Sequence, residues 1–135
     1  MAKVFTGKVR IPIEEMDAYL AAMQAAAEAR QPFRAHLVEL NDGFYEFLLQ
    51  KFTKKTANKH SSIIDMFIEF LVAYTDVDTI ESVTKGMANS YFRRWYKKKV
   101  WDNTTETDLK TALKKFFCYL RDEKQIENSV VLNSL

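Results

Sequence analysis

The sequence is poor in residues that interrupt helices, with three glycines and two prolines in 135 residues. Their scarcity favours helices joined by short connections. The single cysteine, Cys118, excludes an internal disulfide. No apolar run approaches the roughly 18 residues that a membrane-spanning helix needs, and the N-terminal residues lack the apolar stretch of a secretory signal. We therefore expect a one-domain cytoplasmic protein that does not associate with membranes.

Residues that commonly carry catalysis are also sparse. His36 and His60 are the only histidines, and neither has a second histidine or a cysteine at metal-ligand spacing. The sequence has no glycine-rich phosphate loop and no Gly-x-Ser-x-Gly motif. Cys118 lies beside an apolar helical stripe, where a packed thiol explains it better than a nucleophile does. These absences predict a protein that is not an enzyme and that needs neither a metal nor another cofactor.

Hydrophobic residues make up 47% of the chain and aromatic residues 13%, which is ample for one buried core. Residues 3–13 are expected to be extended, as one short strand at most, because Val9, Ile11 and Ile13 alternate with other residues and Pro12 disfavours a helix. Amphipathic spacing predicts a helix from Glu14 that ends near Arg30, because proline follows two residues later. Residues 33–52 allow either a hairpin or a helix beginning near Asp42, and apolar spacing that continues beyond them favours the helix.

Three amphipathic helices are predicted in the second half; the first two end near residues 74 and 99, and the apolar set of the third reaches Leu120. Threonines stand where each helix would begin and can cap it; they are Thr53 or Thr56, Thr84 and Thr105. Asp108 is at the third position of the last helix and completes a capping box. The expected fold class is an all-α compact bundle of four to five helices, with room for a short N-terminal strand or hairpin. Its expected core contains Phe67, Leu71, Tyr91, Trp95, Leu113, Phe116 and Phe117.

Charge is unevenly distributed along the chain. Residues 1–52 carry six basic and seven acidic side chains, whereas residues 85–121 carry ten basic and three acidic ones. A single run of charge is usually a solvated face. A concentration of basic residues on one part of a folded domain is a better indication of a polyanionic partner.

The order of apolar motifs in the second half is distinctive. The first helix ends in a Phe-x-x-Phe-Leu group at residues 67–71, and Ile80 and Thr84 lead into the next helix. A Leu-x-x-Ala-Leu-x-x-Phe-Phe-x-Tyr-Leu helix follows at residues 109–120. This succession resembles the N-terminal core-binding, SAM-like domain of phage integrases and other tyrosine recombinases, over about 75 residues. These motifs are largely core positions, so they indicate the fold more firmly than the function.

The sequence departs from the family pattern at the end of the resemblance. The family has an Asn-Pro pair where this chain has Asn128 followed by Ser129. The catalytic domain of the family, with its tyrosine nucleophile, would come next, but seven residues follow Asn128 and none is a tyrosine. The resemblance therefore implies a core-binding domain without a catalytic domain.

The resemblance implies that residues 53–128 form half of a clamp around duplex DNA. Residues 1–52 would be an N-terminal extension packed on that domain, and residues 129–135 a tail. Contacts are expected mainly with phosphates, through basic helix faces and through hydroxyls at the start of the third helix. The expected DNA-binding residues are Lys54, Lys55, Lys59, Arg93, Arg94, Lys97, Lys98, Thr105, Thr107, Lys110, Lys114 and Arg121.

Two alternatives stay open. The chain could be a helical protein–protein interaction or dimerisation module, using aromatic residues near Tyr96 and Trp101 together with residues 1–52. It could also be an accessory fragment that modulates a full-length recombinase. The expected partners are accordingly double-stranded DNA, a recombinase or a second copy of the chain.

Overall fold

The computed structural model describes Val4 and residues 10–135, which form an all-α bundle and confirm the predicted fold class. Its helices are α1 (Met16–Leu49), α2 (Lys54–Tyr74), α3 (Phe92–Lys99), α4 (Glu106–Lys124) and α5 (Ser129–Ser134). Short 3₁₀ turns lie at Ile13–Glu15 and Ile80–Ser82, and a π-helical turn at Met87–Tyr91 leads directly into α3.

The helix α1 is longer than predicted. It runs for 34 residues through Pro32, so the predicted end near Arg30 and the predicted start near Asp42 are both wrong. A helix, and not a hairpin, occupies residues 33–49. Proline inside a helix costs about 3 kcal/mol. Burial of the apolar face that begins at Phe33, worth about 1.5–3 kcal/mol for each large side chain, offsets that cost.

The strand predicted over residues 3–13 lies mostly outside the described part of the chain. Val4 pairs with Thr75 in an isolated antiparallel bridge. Residues 10–12 have no regular structure, and Ile13 begins the 3₁₀ turn that precedes α1.

Local capping sets the starts of α2 and α4 as predicted. The Thr53 hydroxyl accepts a hydrogen bond from the Thr56 N–H at 3.2 Å. At α4 the Thr105 hydroxyl accepts from the Asp108 N–H at 3.1 Å, and the Asp108 carboxylate accepts from the Thr105 N–H at 3.0 Å. This reciprocal pair is the predicted capping box.

One hydrophobic core joins the helices. Phe44 of α1 contacts Phe116 of α4 with ring centroids 5.2 Å apart, and Phe67 of α2 contacts Phe92 of α3 at 5.1 Å. The predicted boundary between residues 52 and 53 falls in the connection between α1 and α2, and it stays a prediction. The second half of α1 nevertheless shares its core with the helices that follow.

Two residues of the predicted core lie elsewhere. Tyr91 is 40% exposed, which makes its assignment to the core wrong, and Trp95 is partly buried at the edge of the core. The cause is the π-helical turn, whose i→i+5 bonding shifts the following side chains around the helix axis. Phe92 therefore faces the core, and Tyr91 lies at the surface with the Arg94 guanidinium 5.1 Å from its ring centre.

The C-terminal segment packs on the bundle. The Asn128 side-chain amide donates to the carbonyls of Ile80 and Val83, both at 2.9 Å. Its side-chain oxygen accepts from the Val131 N–H and caps α5. Val131 is fully buried, so this short helix closes one end of the core.

Candidate nucleic-acid interface

The basic side chains of α3 line an open cleft beside the first turn of α4. Arg93, Arg94 and Lys97 surround this space of about 230 Å³ together with Ser90 and Glu106. The Lys97 ammonium lies 2.9 Å from the Glu106 carboxylate. Their hydrogen bond and opposite charges lower the pKa of Glu106. The cleft thus presents positive charge with one acidic group at its border.

A basic stripe runs along α4 from the edge of this cleft. Lys110, Lys114 and Arg121 are exposed, whereas the rings of Phe116 and Phe117 on the same helix are buried in the core. The eleven steps from Lys110 to Arg121 span about 16 Å, several times the 3.4 Å spacing of phosphates of one strand along the DNA axis. The stripe is therefore long enough to contact several phosphates.

The start of α2 borders the other side of α4. The Lys59 ammonium contacts the Asp108 carboxylate at 2.9 Å. Near the middle of α4, the Lys115 ammonium lies 4.6 Å from the ring centre of Phe52, just before α2. Lys54 and Lys55 are exposed in the first turn of α2. One ion pair thus joins α4 to the start of α2, and another joins it to α3.

Three of the predicted cations already have acidic partners. Lys59 pairs with Asp108, Lys97 with Glu106, and Arg121 with Asp122 at 2.8 Å. The other seven make no ion pair with any residue that the structure describes; they are Lys54, Lys55, Arg93, Arg94, Lys98, Lys110 and Lys114. These seven can take a phosphate without first losing an ion pair within the chain.

The two threonines at the start of α4 differ in their roles. The Thr105 hydroxyl is engaged in the capping box, whereas Thr107 is exposed. The carboxylates of Glu106 and Asp108 occupy the first turn, where the positive end of the helix dipole would attract an anion. This terminus is therefore less suited to a phosphate than the sequence suggested, and contact there stays a prediction.

His60 lies beneath the lysines at the start of α2. It is 7% exposed, and its Nδ1 has no hydrogen-bond partner among the described residues. Burial lowers its pKa, and the charges of Lys115 and Lys59 lower it further. The imidazole is therefore neutral at pH 7 and adds no charge to the surface.

Sequence reasoning missed the acidic partners and two residues that line the surface. Ser90 reaches the cleft from the π-helical turn, which no sequence pattern indicated. Lys115 is a further cation between α4 and the start of α2, with its ammonium over the Phe52 ring. Glu106 precedes Lys110 by one helical turn, so its position beside the stripe could have been inferred from the sequence spacing.

The described residues hold no group of three or more histidine, cysteine, aspartate or glutamate side chains placed to bind a metal ion. Within the same residues, no helix has the length and apolar character needed to cross a membrane. Comparisons of the chain with protein-family models, curated proteins and solved structures find no match. The likeness to recombinase core-binding domains thus rests on the motif pattern of residues 67–128.

Proposed function

We propose that this protein is a non-catalytic, cytoplasmic module that binds duplex DNA, of the type found in site-specific recombinases. The observation that supports the proposal is the basic surface made up of the α3 cleft, the α4 stripe and the start of α2. Seven cations on that surface lack an acidic partner among the described residues. Lysine and arginine at such positions mainly neutralise phosphates.

This mode of binding has a measurable signature. An affinity on the order of 10⁻⁴–10⁻⁶ M near physiological salt is typical of contacts that do not depend on base sequence. If about four to six phosphates are neutralised, the plot of log affinity against log salt should have a slope of roughly −4 to −5. Fluorescence anisotropy with labelled duplexes of two unrelated sequences measures both quantities.

The double substitution Lys110→Ala with Lys114→Ala tests the α4 stripe. It should make the salt slope shallower by about two and weaken both duplexes equally, because it removes two phosphate contacts. Lys51→Ala with Lys124→Ala is a matched control. These lysines line a separate cleft that also contains Glu46 and Glu123. The control pair should leave the slope unchanged.

Two outcomes would contradict the proposal. One is the absence of binding at low salt, and the other is an equal loss of affinity in the two double variants. The proposal assigns no catalytic step to the chain. A covalent adduct between the protein and a nicked duplex would show that this part is wrong.

A further inference from the structure

The first part of α1 extends beyond the bundle. We call residues 16–29 the arm; its length is about 21 Å at 1.5 Å per residue. Arg30 marks the point where α1 meets the bundle, because its guanidinium donates to the carbonyls of Leu71 and Val72 at the end of α2. Phe33 is the first buried residue of the helix. Within the arm, Tyr19 is partly covered and every other residue is exposed.

The arm repeats the apolar spacing of the buried part of α1. Positions with alternating spacings of three and four residues lie on one helix face. In the bundle these positions are Phe33, Leu37, Leu40 and Phe44, all buried. In the arm they are Met16, Tyr19, Met23 and Ala26, and Leu20 lies beside them. Met16 is 37% exposed, Met23 52% and Leu20 53%. The apolar face that packs on the core at residues 33–44 therefore continues into the arm, where most of its side chains are exposed.

Side-chain size changes along the arm. The large apolar residues Met16, Tyr19, Leu20 and Met23 lie between the beginning and the middle of the arm, and beyond Met23 its apolar residues are all alanine, at positions 25, 26, 27 and 29. Charge changes in the same direction. Glu14, Glu15 and Asp17 lie at the beginning, whereas Glu28, Arg30 and Arg34 lie at or just after the end, where Arg34 also pairs with Glu69.

We propose that the arm pairs with the arm of a second copy of this chain in an antiparallel arrangement. Antiparallel pairing places the large residues of each arm against the alanines of the other, so that the facing surfaces interdigitate. It also places the acidic beginning of each arm near the arginines of its partner. Parallel pairing would instead bring large residues against large ones and acidic residues against acidic ones. The size gradient and the charge gradient thus favour the same orientation.

The change from large to small side chains sets the two-fold axis near Met23. A symmetric interface is self-complementary, and a residue at the axis contacts its own copy. Isolated helices of about 12–15 residues are marginal in water, so pairing would also stabilise the arm. An interface of two such arms is small, and we expect a weak dimer in the micromolar range. This dimer goes beyond DNA binding and does not depend on it.

Sedimentation equilibrium of the full chain, over a range from micromolar to millimolar concentration, tests the pairing. Met23→Glu should raise the dimer dissociation constant by at least about a hundredfold, because it places two like charges together at the axis. Met23 is 52% exposed, so the monomer fold should be unchanged by circular dichroism. Val130→Glu is the matched control, since Val130 is an exposed apolar residue of α5 and should leave the association unchanged.

Cysteine cross-linking tests the orientation. In a Cys118→Ser background, Met23→Cys should give a disulfide-linked dimer under mild oxidation. Met16→Cys should not, because antiparallel pairing about Met23 separates the two copies of residue 16 by about 20 Å. A chain that stays monomeric at every concentration would overturn the proposal. So would dimers that form equally in Met23→Glu, or cross-links at residue 16 instead of residue 23.

Discussion

Asp108 connects two helices through one carboxylate. One of its oxygens accepts from the Lys59 ammonium of α2, and the other accepts from the Thr105 N–H at the start of α4. The hydrogen bond from Lys59, followed by the bonds at Thr105, lowers the pKa of Asp108 from 3.8 to about 2. The folded state therefore favours the ionised carboxylate more than the unfolded state does.

Asp108→Asn should lower the free energy of unfolding by about 1 kcal/mol at pH 7, since its contacts are partly solvated. A depressed carboxyl pKa stabilises the fold above the unfolded value of 3.8, and that stabilisation disappears as the pH falls toward about 2. The difference between wild type and variant should therefore shrink over this interval. Urea titrations at several pH values measure it. Asp78→Asn, at an exposed position, is the control. A difference that stays constant from pH 7 to pH 2 would contradict the assignment.

The exposure of the cations follows from helical spacing, whereas an ion pair between two helices does not. Lys110, Lys114 and Arg121 are exposed as the wheel of α4 predicts. Lys59 and Asp108 are 49 residues apart, so their ion pair depends on how α2 and α4 pack. The structure was therefore needed to determine which cations are free of ion pairs and available to a ligand.

The distinction between local sequence signals and packing between helices also applies to whole helices. The predictions of α2 and α4 were right because a threonine cap and an apolar stripe, both local signals, define them. The passage of α1 through Pro32 and the π-helical turn at Met87–Tyr91 were missed. Long-range packing decides both, since each puts an apolar face against the core at the expense of a local preference.

The contact between α1 and α4 depends on a residue without a side chain. A methyl group at Gly43 would collide with the Tyr119 hydroxyl. The Tyr119 ring is itself held against Phe44 and Phe47, with centroids 5.6 and 5.1 Å away. Gly43 therefore serves the close approach of the two helices, although glycine lowers the intrinsic stability of a helix.

Gly43→Ala should destabilise the protein by about 1–3 kcal/mol through this overlap, despite the better helix propensity of alanine. Combining it with Tyr119→Phe removes the hydroxyl and should recover most of the loss. Thermal unfolding of the wild type, both single variants and the double variant gives the coupling energy. Additive effects of the two substitutions would show that the two residues do not interact.

The shared core makes residues 33–48 part of the bundle and not an appendage. Leu37, Phe44 and Leu48 are at most 1% exposed, and Phe44 packs on Phe116. A fragment of residues 53–135 would expose the apolar surfaces that α1 covers. We expect this fragment to lack a cooperative thermal transition and to bind a dye specific for exposed apolar surface. A transition as sharp as that of the full chain would establish residues 53–128 as an independent domain.

The two tryptophans have opposite surroundings within one molecule. Trp95 lies among the rings of Phe70, Tyr74 and Phe92, and its indole N–H is buried without a hydrogen-bond partner in the described structure. Trp101 is 93% exposed, two residues after the basic end of α3. Their fluorescence should differ in emission maximum and in access to dissolved quenchers. The chain thus has one intrinsic optical probe of its core and another beside its basic surface, and neither needs a label.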